Sequence, residues 1–185
     1  VADLLKQNGY QTGCVGKWHL GWDWGLDRYT GVVDFFKPIN YGPNEYGFDY
    51  FFGIGASLDI PPYFYVENDR ITATKVDTFQ GKEGMLLQRT GPIGDDFKGI
   101  EVLPTLTERS VKFITESAAN DKPYFLYHWP VCILSHDPSQ CIPRCVVSFH
   151  QNAQSCGISL NCLRICISPS CFYSNISRYP SRCFS

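Results

Sequence analysis

A short apolar strand running straight into Gly16-Lys17-Trp18-His19-Leu20-Gly21 constrains this chain more than any other feature. Upstream, Val1 to Asn8 reads as a helix, Gly9 supplies its left-handed stop and Tyr10 opens the next element. Gln11-Thr12-Gly13-Cys14-Val15 then reads as a strand. A strand fed by a helix and followed by a glycine-bracketed polar motif belongs to the α/β class. Such sheets gather ligands beyond the C-terminal ends of their strands. On an extended backbone side chains alternate, so Lys17 and His19 are expected on one face and Trp18 on the other. A compact ammonium beside a titratable imidazole suits an anionic, tetrahedral group. The plainer reading competes with this: a solvated lysine, a histidine satisfied in a loop and a tryptophan in the core.

Further along, Tyr46-Gly47-Phe48-Asp49-Tyr50-Phe51-Phe52-Gly53 is an aromatic segment expected to bury against the sheet, with Asp49 placed to cap a turn. Trp22-Asp23-Trp24-Gly25-Leu26-Asp27-Arg28 is an aromatic, turn-prone stretch; it either anchors a loop or lines a substrate mouth. Pro38 to Pro43 reads as loop, and Ser57 to Tyr65 is irregular and able to present substrate-facing groups. Glu67-Asn68-Asp69-Arg70 reads as a turn between two short strands flanked by Val66 and Ile71. Residues 72–100 are expected to form a long surface excursion. A helix is expected from Leu106 to about Ala119, burying Val111, Ile114 and Ala118 and turning Arg109, Lys112 and Glu116 outward. Tyr124-Phe125-Leu126-Tyr127 is a near-continuous apolar run suited to an interior parallel strand.

The helix–Gly9-Tyr10–strand unit with its lysine–tryptophan–histidine motif resembles the sulfatase family, in its arylsulfatase A-like branch of the alkaline-phosphatase superfamily. The aromatic segment at 46–53, Glu67 to Arg70 and Pro123 to Tyr127 follow in family order across residues 1–130. The resemblance implies a partial alkaline-phosphatase-like domain with a mixed, mostly parallel sheet and flanking helices. It implies hydrolysis of sulfate esters by a formylglycine nucleophile, with calcium holding the sulfate oxygens. Lys17 maps onto the lysine that binds the sulfate and bridges to the formylglycine. His19 maps onto the histidine that hydrogen-bonds the formylglycine hydroxyl. A formylglycine-generating enzyme is the implied partner of the whole protein, and an extracytoplasmic compartment (lysosomal, periplasmic or secreted) its implied location.

The chain opens on Val1, carries one methionine and shows no signal sequence, so a piece of a longer catalytic domain is expected. No C-x-P-x-R segment precedes Lys17; Cys141-Ile142-Pro143-Arg144 is a near miss with its arginine one position early. That motif is the family's formylglycine site. The paired aspartates and the Asp-Asn pair that the resemblance implies for calcium are missing too, so no calcium ligand is assigned and the piece alone is expected to be inactive. Residues 131–185 differ sharply in composition. They hold eight of the nine cysteines, four arginines and one aspartate, a net of +3, against −5 for residues 1–130. They are read as an irregular cysteine- and serine-rich tail outside the catalytic homology. A frameshift, intron read-through or alternative end, a disulfide-stapled extension, and a metal module on Cys141, Cys145, Cys162 and Cys166 all remain open. Within it, Ser135-His136-Asp137-Pro138 resembles the family's P-H-x-P turn and makes His136 a candidate sulfate contact. Asn175-Ile176-Ser177 is a sequon that chance also explains, and His128 and His150 are read as ordinary polar residues.

The overall net charge of −2 gives no electrostatic case for nucleic acid, and no run of 18 apolar residues marks a membrane span. Two other functions stay open beside the sulfatase reading: a phosphate-ester hydrolase of the same superfamily, and a non-catalytic secreted binding product.

Overall fold

The computed structural model describes residues 1–81, 88–120 and 122–129, and the backbone of 146–150. Helix α1 (Ala2–Gln7) ends where Gly9 takes φ +83°, and strand β1 (Gln11–Lys17) follows. The five inner residues of β1 are all buried, as a strand covered on both faces requires. β1 extends two residues beyond Val15 and takes in the first two positions of the glycine-bracketed motif.

After the short strands β2 (Gly25–Leu26) and β3 (Val33–Asp34), β4 (Tyr50–Ile54) pairs with β1 in parallel, Gly16 opposite Gly53 and Lys17 opposite Ile54. The aromatic segment at 46–53 thus supplies a sheet strand as well as packing. β5 (Val66–Glu67) and β6 (Arg70–Ile71) form the expected hairpin, with Asn68 at φ +56° in its turn. Strands β7 (Val76–Phe79) and β8 (Gly91–Gly94) pair separately. Helix α2 (Val102–Ala118) leads to β9 (Tyr124–Trp129), which lies parallel to β1 on its other side. β10 (Val146–His150) adds antiparallel to β9. The main sheet runs β10-β9-β1-β4-β5-β6: three parallel central strands with antiparallel edges.

Alternation along β1 sorts the core. Val15 faces a cluster with Phe52, Tyr65, Phe97, Leu106, Phe113 and Leu126, roofed by α2. Cys14 faces the opposite cluster, with Phe48, Phe51, Val66 and Phe125, and Leu5 of α1 packs there. Both faces of the sheet are therefore covered, which makes the unit α/β. Gly13 is the point of closest approach to α2: a methyl group there would stand 2.6 Å from Cζ of Phe113.

Three expectations need correction. Residues 72–100 are not simply a surface excursion, because β7 and β8 form a hairpin whose Phe79 and Ile93 pack on the first core cluster with buried Phe97. Gly91, Pro92 and Gly94 hid the strand, since neither residue type favours one. Helix α2 begins at Val102 rather than Leu106, because Pro104 falls in the first turn, where a missing N–H costs nothing. Its buried stripe is Val102, Leu106, Ser110, Phe113 and Ser117, while Val111 is half exposed. Small serines seat the helix close to the sheet, and the Ser110 hydroxyl bonds back to the Leu106 carbonyl at 2.9 Å. Arg109 consequently faces inward: it meets Glu67 at 3.1 Å, and its guanidinium lies 4.4 Å above the Phe52 ring.

Candidate active site

The C-terminal ends of β1, β4 and β9 share one edge of the sheet because the three strands are parallel. Lys17 is the last residue of β1, and at Gly16 the three backbones are pinched together. Gly16 holds φ +133°, and a methyl there would run into the Trp129 carbonyl; one on Gly53 would run into the Gly16 carbonyl. Only glycine fits either place, so the pinch fixes where Lys17 leaves the sheet.

Past Lys17 the chain continues to borrow carbonyls from the segment after β4. The Trp18 N–H donates to Ile54 O and the His19 N–H to Gly55 O, both at 3.0 Å. The Lys17 ammonium donates to Ser57 Oγ at 3.3 Å. Residues 54–57 thus form the second wall of the site. Trp18 turns to the opposite face, against Tyr46, Phe48 and Phe51, and its indole N–H donates to the Gly21 carbonyl at 3.0 Å. That agrees with the alternation read from the sequence. His19, however, takes φ +57°, a left-handed geometry unusual for a residue with a Cβ. The pleat ends at Lys17, so the turn at His19 and not strand alternation sets the direction of the imidazole. His19 is exposed and Lys17 partly buried.

Ser57 opens the segment expected to present substrate-facing groups, but nothing in the sequence singles it out within that segment. It stands 40 positions from Lys17, and only the parallel pairing of β1 with β4 brings it near. Trp22 and Trp24 anchor their loop: their rings meet edge to face at 5.4 Å, and Trp24 packs against Phe35 and Phe64.

Among the described residues no three His, Cys, Asp or Glu side chains come together as a metal site. They do not fit a calcium ion. Cys14 is 2% exposed inside the second core cluster and offers no accessible nucleophile. His136, Cys141, Cys145, Cys162, Cys166 and the sequon at Asn175 lie outside the described residues. His128 has more structural weight than an ordinary polar residue. It pairs across from Val15, with Nδ1 2.8 Å from Ser110 Oγ. Burial holds its imidazole below the usual protonation range, opposed by a backbone hydrogen bond with Val15.

The parallel sheet thus brings Lys17, His19 and Ser57 to one edge of an α/β unit. The family model described as Sulfatase matches residues 1–179, and this chain belongs to the sulfatase family. The N-acetylgalactosamine-6-O-sulfatase of Bacteroides thetaiotaomicron is 44% identical over 71 residues, 38% of this chain and 13% of that protein. Arylsulfatase G of Mus musculus is 27% identical over 165 residues, 78% of this chain and 29% of that protein. A solved structure described under metabolism of multiple glycosaminoglycans by Bacteroides thetaiotaomicron superposes with a TM-score of 0.55 at 26% identity. It covers 75% of this chain and 34% of its own. The chain spans less than a third of the length of either curated relative. The match to the family extends beyond residue 130, and β10 falls in that same stretch.

Proposed function

We propose that this chain contributes the Lys17–His19 wall of a sulfuric ester hydrolase. The observation that carries the reading is the Lys17–Ser57 contact at the C-terminal edge of the parallel strands, in a chain of the sulfatase family. Negative charge grows on the sulfuryl oxygens and the leaving oxygen as the ester breaks. A prepositioned ammonium at Lys17 stabilises that charge without having to reorganise. Ser57 keeps the ammonium in place and offers a hydroxyl to the same oxyanion. His19 is the acid–base group at the reacting oxygen. The two named relatives are both sulfatases, which favours sulfate over phosphate as the group transferred.

Formylglycine, calcium and the formylglycine-generating enzyme follow from the family resemblance. Among the described residues no cluster fits the metal, and Cys14 is buried in the core. An extracytoplasmic location follows from the same resemblance; no described helix is long and apolar enough to cross a membrane.

The test is turnover of an aryl sulfate by the complete protein that contains this chain, against the matching aryl phosphate. Preference for the sulfate supports the reading. Preference for the phosphate turns it toward the phosphate-ester relatives, and turnover of neither leaves a non-catalytic binding product.

A further inference from the structure

Trp22 does more than close a loop. Its indole packs close against the glycine whose carbonyl holds His19: a methyl group on Gly55 would stand 2.8 Å from Cζ2 of Trp22. The Gly55 carbonyl accepts the His19 N–H at 3.0 Å. His19 needs such a hold, because its φ of +57° is disfavoured for a residue with a side chain beyond glycine's. Trp22 is itself braced. It meets Phe51 of β4 at 6.0 Å and Trp24 at 5.4 Å, both edge to face. The stretch between His19 and Trp22 is also tied back, since the Trp18 indole N–H holds the Gly21 carbonyl. The contacts close a ring: β4 braces Trp22, Trp22 covers Gly55, Gly55 holds His19, and Trp18 gathers the connecting turn.

We propose that Trp22 is a positioning residue for His19, acting through Gly55. This rests on His19 working at the ester, as proposed above. Core packing alone would ask only for a large apolar side chain at position 22. Positioning asks for an aromatic ring packed closely on a residue with no side chain.

The test uses Trp22→Leu, Trp22→Phe and Gly55→Ala in the complete protein, with backbone amide exchange, melting temperature and aryl sulfate kinetics as readouts. In Trp22→Leu the His19 amide should exchange about tenfold faster, the equilibrium equivalent of one hydrogen bond. The amides of Cys14 and Val15 should keep their protection. The kcat should fall by about ten- to a hundredfold with KM nearly unchanged, as expected for a displaced acid–base group. Trp22→Phe, which keeps a flat ring, should restore most of both. Gly55→Ala should reproduce the Trp22→Leu effects, and the double variant should be no worse than Trp22→Leu alone. Unchanged His19 exchange in Trp22→Leu, or uniform loss of protection along β1, overturns the proposal. If Trp22→Leu does not fold, Gly55→Ala decides alone, and unchanged His19 exchange there overturns it equally. Absence of turnover in the unaltered protein would contradict the sulfatase reading, while the exchange pattern would still judge Trp22.

Discussion

Gly16→Ala should be far more destabilising than Gly9→Ala, although both glycines hold positive φ, +133° and +83°. At Gly9 a methyl group would have nothing within 4 Å, so the backbone geometry is the whole cost, about 1 kcal/mol. At Gly16 the methyl meets the Trp129 carbonyl, with the carbonyl carbon only 2.7 Å away. That neighbour is backbone held in the ladder between β1 and β9, and it has no rotamer to escape into. A glycine-only conformation costs about 1–3 kcal/mol, and forcing atoms into a filled site adds about 1–3 kcal/mol. Together they take roughly 2–6 kcal/mol from a domain whose total stability is of order 5–15 kcal/mol. With a urea slope of about 2 kcal/mol/M, the midpoint should fall by about 0.5 M in Gly9→Ala and about 1–3 M in Gly16→Ala. Urea unfolding followed by tryptophan fluorescence measures both, with equal slopes as the check that the unfolded state is unchanged. Equal midpoint shifts would refute the pinch, and with it the reason Lys17 leaves the sheet where it does.

His128→Gln should flatten the acid side of the stability profile. Because burial depresses the folded-state value, the unfolded chain takes up the proton first. The stabilising contribution of His128 is therefore complete above pH about 6.5 and is lost as pH falls through the folded value; urea midpoints between pH 7.5 and 5 would show it. Thr12→Val should cost about 1–3 kcal/mol despite its matching shape. It removes the hydroxyl that donates to the Gly47 carbonyl at 2.7 Å and accepts the Asp49 N–H at 3.0 Å, and the same urea experiment reads the loss.

What the sequence made legible was local. The helix stop at Gly9, the strand into Lys17, the Asn68 turn and the apolar strand at Tyr124 each depend on residues adjacent in the chain. What it concealed depended on contacts across the fold. The helix face was misread because Ser110 and Ser117 are buried and Val111 is not; hydrophobicity alone cannot reveal a helix that sits close on small residues. The β7–β8 hairpin was hidden by glycine and proline, and Arg109 by an ion pair formed 42 positions away. At the site, Lys17 and His19 stood out through their glycine-bracketed motif. Ser57 was only one end of a loosely marked segment, because its place beside Lys17 depends on the pairing of β1 with β4. The left-handed turn at His19 was equally invisible, since alternation assumes an extended backbone and the strand ends one residue after Gly16.

The most direct measurement is kcat/KM for an aryl sulfate in the complete protein and in its Lys17→Met and His19→Ala variants. Loss of the ammonium should lower it by about a hundred- to a thousandfold, and loss of the imidazole by about a hundredfold or more. Either variant hydrolysing the sulfate ester as fast as the unaltered protein would contradict the role given to that edge of the sheet.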